Sequence, residues 1–191
     1  MIEIRIHGRG GQGNVVAAYL LAIAAFDSGL QCQAFPAFGA ERRGAPVVAF
    51  VRIAEVPISQ RNQVLHPAYL IIQDQTLLHE PGLTDGLLPG GAILLNSTRS
   101  SDEMSKQLGK PTVTLPATAM ALETVGKDVP NVPLLSAFLT LTGLLPHPSL
   151  EHALEQRFKG EVLEKNKLLI KLAANRVPAG LWKEDRLAAS A

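Results

Sequence analysis

The run from Met1 to Gly29 limits what this chain can fold into more than any other stretch. Ile2, Ile4 and Ile6 alternate with Glu3 and Arg5, the period-two pattern of a strand. Gly8-Arg9-Gly10-Gly11-Gln12-Gly13 follows at once and contains the G-x-G-x-x-G spacing at Gly8, Gly10 and Gly13. From Asn14 the pattern becomes helical and nearly all apolar through Val15, Val16, Ala18, Tyr19, Ala22, Ile23 and Phe26, with Gly29 as the stop. Such a helix has to be buried. Strand, glycine turn and buried helix together open a doubly wound α/β domain.

The glycine turn has two physical readings. Residues without Cβ let backbone N–H groups approach an anion at the positive end of the following helix, which would make Gly8 to Gly13 a phosphate cradle. The same glycines also permit a tight β–α crossing with close helix packing. A dinucleotide would further require an acidic residue near the end of the second strand, about 20 residues onward, to hold ribose hydroxyls. Position 33 is Gln, Asp27 comes too early, and the first acid beyond that strand is Glu41. A classical NAD site is disfavoured.

Further along, strands are expected at 31–37, 47–53, 69–72, 92–96 and 112–115, separated by turn signals such as Pro89-Gly90-Gly91 and Gly109-Lys110-Pro111. Val47, Ala49, Val51 and Ile53 alternate with Val48 and Phe50, so both faces are apolar and the strand reads as interior. Ser100 and Glu103 have the spacing of a capping box before a short helix to about Leu108. One or two helical turns are expected over 83–88. The last third reads as short helices: a weak one over 116–125, one capped by Asn131 to Thr142, one capped by Ser149 over 150–158, and an amphipathic one over 161–174. In the last, Val162, Leu169, Leu172 and Ala173 are available to pack. The rhythm predicts an α/β, Rossmann-like, mostly parallel sheet flanked by helices, with short C-terminal helices. A single domain is expected over 1–176. The tail 177–191 is irregular, and its Trp182 needs burial on a partner or on the chain's own surface.

The second constellation is Phe38-Gly39-Ala40-Glu41-Arg42-Arg43-Gly44-Ala45-Pro46, a charged loop bounded by glycines at the carboxyl end of the second strand. In open α/β sheets ligands bind outside the carboxyl ends of the strands. Arg42 and Arg43 offer bidentate contacts to phosphate or carboxylate, with Glu41 to orient one of them. The plain alternative is a salt-bridged surface loop. His7 precedes the glycine turn and either donates to a phosphate or packs beneath the loop. The five histidines have no metal-ligand spacing, and Ser97, Ser100 and Ser101 lack an identifiable base, so no catalytic residue and no metal ligand is assigned.

Composition removes other classes. The 191 residues are 47% apolar, enough for one core, and the formal net charge of +1 gives no field for nucleic acid or a membrane surface. One cysteine, Cys32, can form neither an intrachain disulfide nor an iron–sulfur cluster, and its setting is that of a small buried hydrophobe. The start is a strand pattern with no secretion signal, and no run of about 18 apolar residues occurs, so a soluble, cytoplasmic protein is expected.

Arg5 to Gly13, Gln33 to Pro46 and Ala49 to Ile53 closely resemble the gamma subunit, or gamma domain, of pyruvate:ferredoxin oxidoreductase and its 2-oxoacid:acceptor oxidoreductase relatives. The likeness continues through 70–77, 90–96, the Asn131 region and Glu164-Lys165-Asn166, to about residue 176. It implies a subunit, inactive alone, of a complex that decarboxylates a 2-oxoacid oxidatively with coenzyme A, giving acyl-CoA and carbon dioxide. Pyruvate is the default substrate, and 2-oxoglutarate, indolepyruvate and phenylglyoxylate belong to similar systems. It implies alpha and beta partner subunits holding thiamine diphosphate and magnesium, a delta-type or fused subunit with 4Fe-4S clusters, and ferredoxin or another acceptor. Within this chain it implies contacts to coenzyme A phosphates, or to a neighbouring subunit, at Gly8, Arg9, Gly10, Gly11, Gln12, Gly13, Glu41, Arg42, Arg43 and Gly44. Ala40 stands where many relatives have Pro, which loosens the loop and leaves its charges. The competing reading is a stand-alone nucleotide-binding or regulatory module.

Overall fold

A computed structural model describes residues 1–37 and 44–183. Six strands form one sheet: β1 (Ile2–Arg9), β2 (Gln31–Pro36), β3 (Pro46–Ala54), β4 (Tyr69–Ile72), β5 (Ala92–Asn96) and β6 (Thr112–Leu115). Their order is β2-β3-β1-β4-β5-β6. β1, β4, β5 and β6 pair in parallel, while β3 lies antiparallel between β1 and β2. Because β3 reverses against both neighbours, β2 runs the same way as β1. The carboxyl ends of β1, β2, β4, β5 and β6 therefore share one edge of the sheet. The interior position expected for 47–53 is observed.

The helices divide unequally between the two faces. α1 (Asn14–Asp27), α3 (Ala117–Val125), α4 (Asn131–Thr142), α5 (His147–Arg157) and α6 (Gly160–Ala174) surround the larger core, which takes Ile2, Ile4 and Ile6 of β1, Ala49, Val51 and Ile53 of β3, and Ile71 and Leu94. α1 places Leu20 and Leu21 at its centre, and full burial of each leucine stabilises the fold by about 1.5–3 kcal/mol. On the other face α2 (Ser101–Leu108) inserts Met104 among Leu70, Ile72, Ile93 and Leu95. Ser100 Oγ accepts from Glu103 N at 3.2 Å, the expected cap, but the Glu103 carboxylate turns to Arg99 and the reciprocal bond of a capping box is absent.

Four local expectations are corrected. Asn131 is the first residue of α4 and Pro130 holds the cap position, with Asn131 Oδ1 accepting from the adjacent Val132 N at 2.9 Å. Residues 83–88 form turns and no helix; the regular piece nearby is a 3-10 turn, Gln75–His79, capped by Asp74. Ser149 does not cap its helix, which starts two residues earlier on His147-Pro148, leaving Ser149 Oγ to meet Ser28 Oγ at 2.8 Å across α1 and α5. Val162 and Leu172 point outward, and α6 packs through Leu169, Ile170 and Ala173. Trp182 is buried on its own chain: its ring stacks on Tyr69 at 5.7 Å, and its backbone N–H donates to Leu141 O at 2.8 Å. No helix among the described residues is long and apolar enough to cross a membrane.

Candidate functional site

The glycine turn lies where β1 delivers the chain to α1, at the shared carboxyl edge. Gly8 is buried, and a Cβ there would run into the Asn14 carboxamide, which donates to Val47 O at 2.9 Å. Gly8 therefore serves the close crossing of strand and helix. The later residues do something different. Gly13 caps α1 with φ 80°, a conformation that suits glycine, and no side chain caps the helix. The N–H groups of the first turn are left for solvent or a ligand. Gly10, Gly11, Asn14, Val16, Pro36 and Val47 line a cavity of about 490 Å³ at this point. Asn14 Oδ1 is buried and has no hydrogen-bond partner.

Gly44 and Ala45, which lead into β3, meet the same mouth. Gly10 N donates to Ala45 O at 2.9 Å, Gly44 N donates to Gly10 O at 3.3 Å, and Arg9 Nη1 donates to Gly44 O at 3.1 Å. Gly44 is thus held against the glycine turn. Glu41, Arg42 and Arg43 lie outside the described residues.

Arg9 and Gln12 are tied to the other side of the mouth. Gln12 Nε2 donates to Asp74 Oδ2 at 2.9 Å, and Arg9 donates through Nε and Nη2 to Thr76 Oγ1 at 3.0 and 2.8 Å. Asp74 Oδ1 accepts from Thr76 N at 2.9 Å and from Thr76 Oγ1 at 2.6 Å. Burial opposes the Asp74 charge, but the bonds from Thr76 and Gln12 and the nearby Arg9 outweigh it and hold the carboxyl below its ordinary range. This network was not anticipated from sequence. Its one sequence signal is an acid placed two residues beyond the apolar strand 69–72.

His7 packs beneath the turn. Burial, with Arg5 adding to it, lowers its pKa to about 3, so the ring is neutral, and Nε2 has no partner. Cys32 Sγ donates to Ala22 O at 3.1 Å, and burial raises its pKa, so it is a poor nucleophile. No group of three or more His, Cys, Asp or Glu that could hold a metal occurs among the described residues.

An open sheet with a glycine turn at its carboxyl edge and an uncapped helix behind it defines a Rossmann-like α/β domain. Comparison with known proteins identifies the family: residues 3–176 match the profile of pyruvate ferredoxin/flavodoxin oxidoreductase, and the chain belongs to that family as a gamma-type member. It is 45% identical over 177 residues to the pyruvate synthase subunit PorC of Methanocaldococcus jannaschii, covering 93% of this chain and 97% of that one. It is 46% identical to the pyruvate/ketoisovalerate oxidoreductases common subunit gamma of Pyrococcus abyssi, covering 87% and 91%. Among solved structures, the pyruvate oxidoreductase subunit PORC of Thermotoga maritima superposes with a TM-score of 0.81 at 35% identity, over 91% of this chain and 95% of that one. The 2-oxoglutarate:ferredoxin oxidoreductase of Magnetococcus marinus, at 22% identity and a TM-score of 0.75, shares the fold over 32% of its length.

Proposed function

We propose that this chain is the gamma subunit of a cytoplasmic 2-oxoacid:acceptor oxidoreductase complex, with pyruvate as substrate, and that it contributes a coenzyme A phosphate site and holds no redox centre. The two relatives named for pyruvate support the substrate class. The overall reaction joins a 2-oxoacid and coenzyme A into acyl-CoA, releases carbon dioxide, and passes the electron pair to ferredoxin or another acceptor. Thiamine diphosphate, magnesium and 4Fe-4S clusters belong to alpha, beta and delta-type subunits in this reading; a chain with one cysteine offers no ligand set for a cluster.

The observation that carries the site is the pair of bonds between Gly10 and the residues Gly44 and Ala45. They hold Gly44 and Ala45, the residues that follow Glu41-Arg42-Arg43 in the chain, against the glycine turn beside the uncapped first turn of α1, and in this reading the two arginines would add their charge to the backbone N–H donors there. Gly11, Gln12 and Gly13 would present the backbone to phosphate, Arg42 and Arg43 would neutralise it, and Gly8 and Arg9 would hold the shape. To test this, Arg42→Ala/Arg43→Ala is purified with the other subunits and assayed with pyruvate while coenzyme A is varied. The KM for coenzyme A should rise about tenfold or more, the size expected for losing charge-assisted bonds, with the KM for pyruvate unchanged. An unchanged coenzyme A KM in a fully assembled complex refutes the assignment.

A further inference from the structure

A second cavity, of about 390 Å³, opens on the other side of the glycine turn. Gly11 and Gly13 form one lip, and the ends of α3, α4, α5 and α6 close the rest, bringing Lys127, Arg157 and Lys165 to its wall. Glu161 is the one acid lining it, and it is already paired with Lys165 at 2.7 Å. Neither Lys127 nor Arg157 has an ion-pair partner among the described residues. Nor do they serve as caps: the carbonyl end of α3 is closed by Gly126 N and that of α5 by Phe158 N. The wall between the cations is apolar, with Val16, Val129, Phe158 and Val162.

Two uncommitted cations over an apolar pocket match a phosphate monoester, which carries about −1.5 to −2 at neutral pH. α1 begins at this cavity without a side-chain cap bond, which adds to the positive potential, whereas at the start of α4 the Val132 N–H already donates to Asn131 Oδ1 at 2.9 Å. Resting on the coenzyme A reading above, we infer that this cavity is a second phosphate subsite, built by Lys127 and Arg157, for the 3′-phosphate end of coenzyme A. The cavity shares Gly11 and Gly13 with the first mouth, so the two open on either side of one turn, the placement that a ligand with two separated phosphate groups requires.

The test compares coenzyme A with 3′-dephospho-coenzyme A, by equilibrium titration of the assembled complex with wild-type chain and with Lys127→Gln/Arg157→Gln. Both side chains are exposed, so the fold tolerates the change. The expected result is a coenzyme A Kd raised about tenfold or more and a dephospho-coenzyme A Kd that does not move, with Arg157→Lys intermediate for coenzyme A. If the coenzyme A Kd is unchanged, or if both ligands weaken equally, the subsite is overturned while the coenzyme A reading stands. If the wild-type complex binds neither ligand, the reading itself fails and the subsite with it.

Discussion

Gly13→Ala is the sharpest probe of how the mouth is built, because two separable costs meet at one atom. The backbone there has φ 80°, where an L-residue pays roughly 1–2 kcal/mol. The new Cβ would also stand 2.6 Å from Asn131 Nδ2, forcing that side chain to turn away and give up its 2.9 Å acceptance from Val132 N, a loss of about 1 kcal/mol. The sum is about 2–3 kcal/mol. Removing the obstruction separates the two parts. In an Asn131→Ala background the nearest remaining atom is Asn131's own Cβ position, at 3.9 Å, which is ordinary contact, so only the backbone cost of roughly 1–2 kcal/mol stays. Urea unfolding of the wild type, both single variants and the double variant gives the coupling, expected near 1 kcal/mol. Gly109→Ala, with φ 62° and nothing within 4 Å of the added Cβ, calibrates the backbone part. If Gly13→Ala costs no more than Gly109→Ala, and costs the same with or without Asn131, the close approach of α4 to the glycine turn is refuted.

Two other outcomes follow from buried ionisable side chains. His7 is neutral in the folded chain with a pKa of about 3, below the roughly 6.5 of an unfolded histidine, so the unfolded state binds more protons between these values. Its contribution is therefore complete above about pH 6.5 and is lost as pH falls toward 3; at pH 5 roughly 2 kcal/mol should be gone, and denaturation of His7→Gln at pH 7 and 5 should show a correspondingly smaller drop. Arg52 has no exposed surface, pairs with Glu3 at 2.7 Å and donates to Asn62 O at 2.8 Å, so Arg52→Ala should cost about 3–5 kcal/mol in chemical denaturation, with part recovered on adding Glu3→Gln. Equal stability of Arg52→Ala and wild type would show that the pair contributes nothing.

The elements most legible in the sequence are those whose local signals agree with their tertiary surroundings. β1, the glycine turn and α1 are such a case: alternation, glycine spacing and a nearly all-apolar helix each demand the same burial. Strand pairing was not legible. Nothing in Val47–Ile53 says that it runs backward between β1 and β2, because a strand covered on both faces has the same pattern in either direction. Ser149 misled for a local reason: the serine and proline at the start of α5 both suit a helix beginning, and Pro148 in the first turn set the boundary earlier. At the site, Gln12 and Arg9 are neighbours in sequence of the glycines, but their partner Asp74 is brought to them only by the parallel pairing of β1 with β4. Lys127, Arg157 and Lys165 come from three different segments around α3, α5 and α6, so no spacing rule could have joined them.

The reversed β3 explains both what this edge lacks and what it gains. In a βαβ unit with adjacent strands, β2 ends beside β1, and an acid there can accept the ribose diol of a dinucleotide. Here β3 separates them by two strand spacings, about 9.5 Å, and the parallel neighbour of β1 is β4. The acid at the end of β4 is Asp74, whose oxygens already accept from Thr76 and Gln12 with Arg9 alongside, so it has little capacity left for ribose hydroxyls. Gly44 and Ala45, which lead into β3, are bonded to Gly10 of the glycine turn. The inserted strand thus removes the acidic ribose clamp from beside the glycine turn and leaves the backbone N–H donors of the first turn of α1 uncapped there, an arrangement that suits a ligand recognised through its phosphates, as proposed above, better than one recognised through its diol.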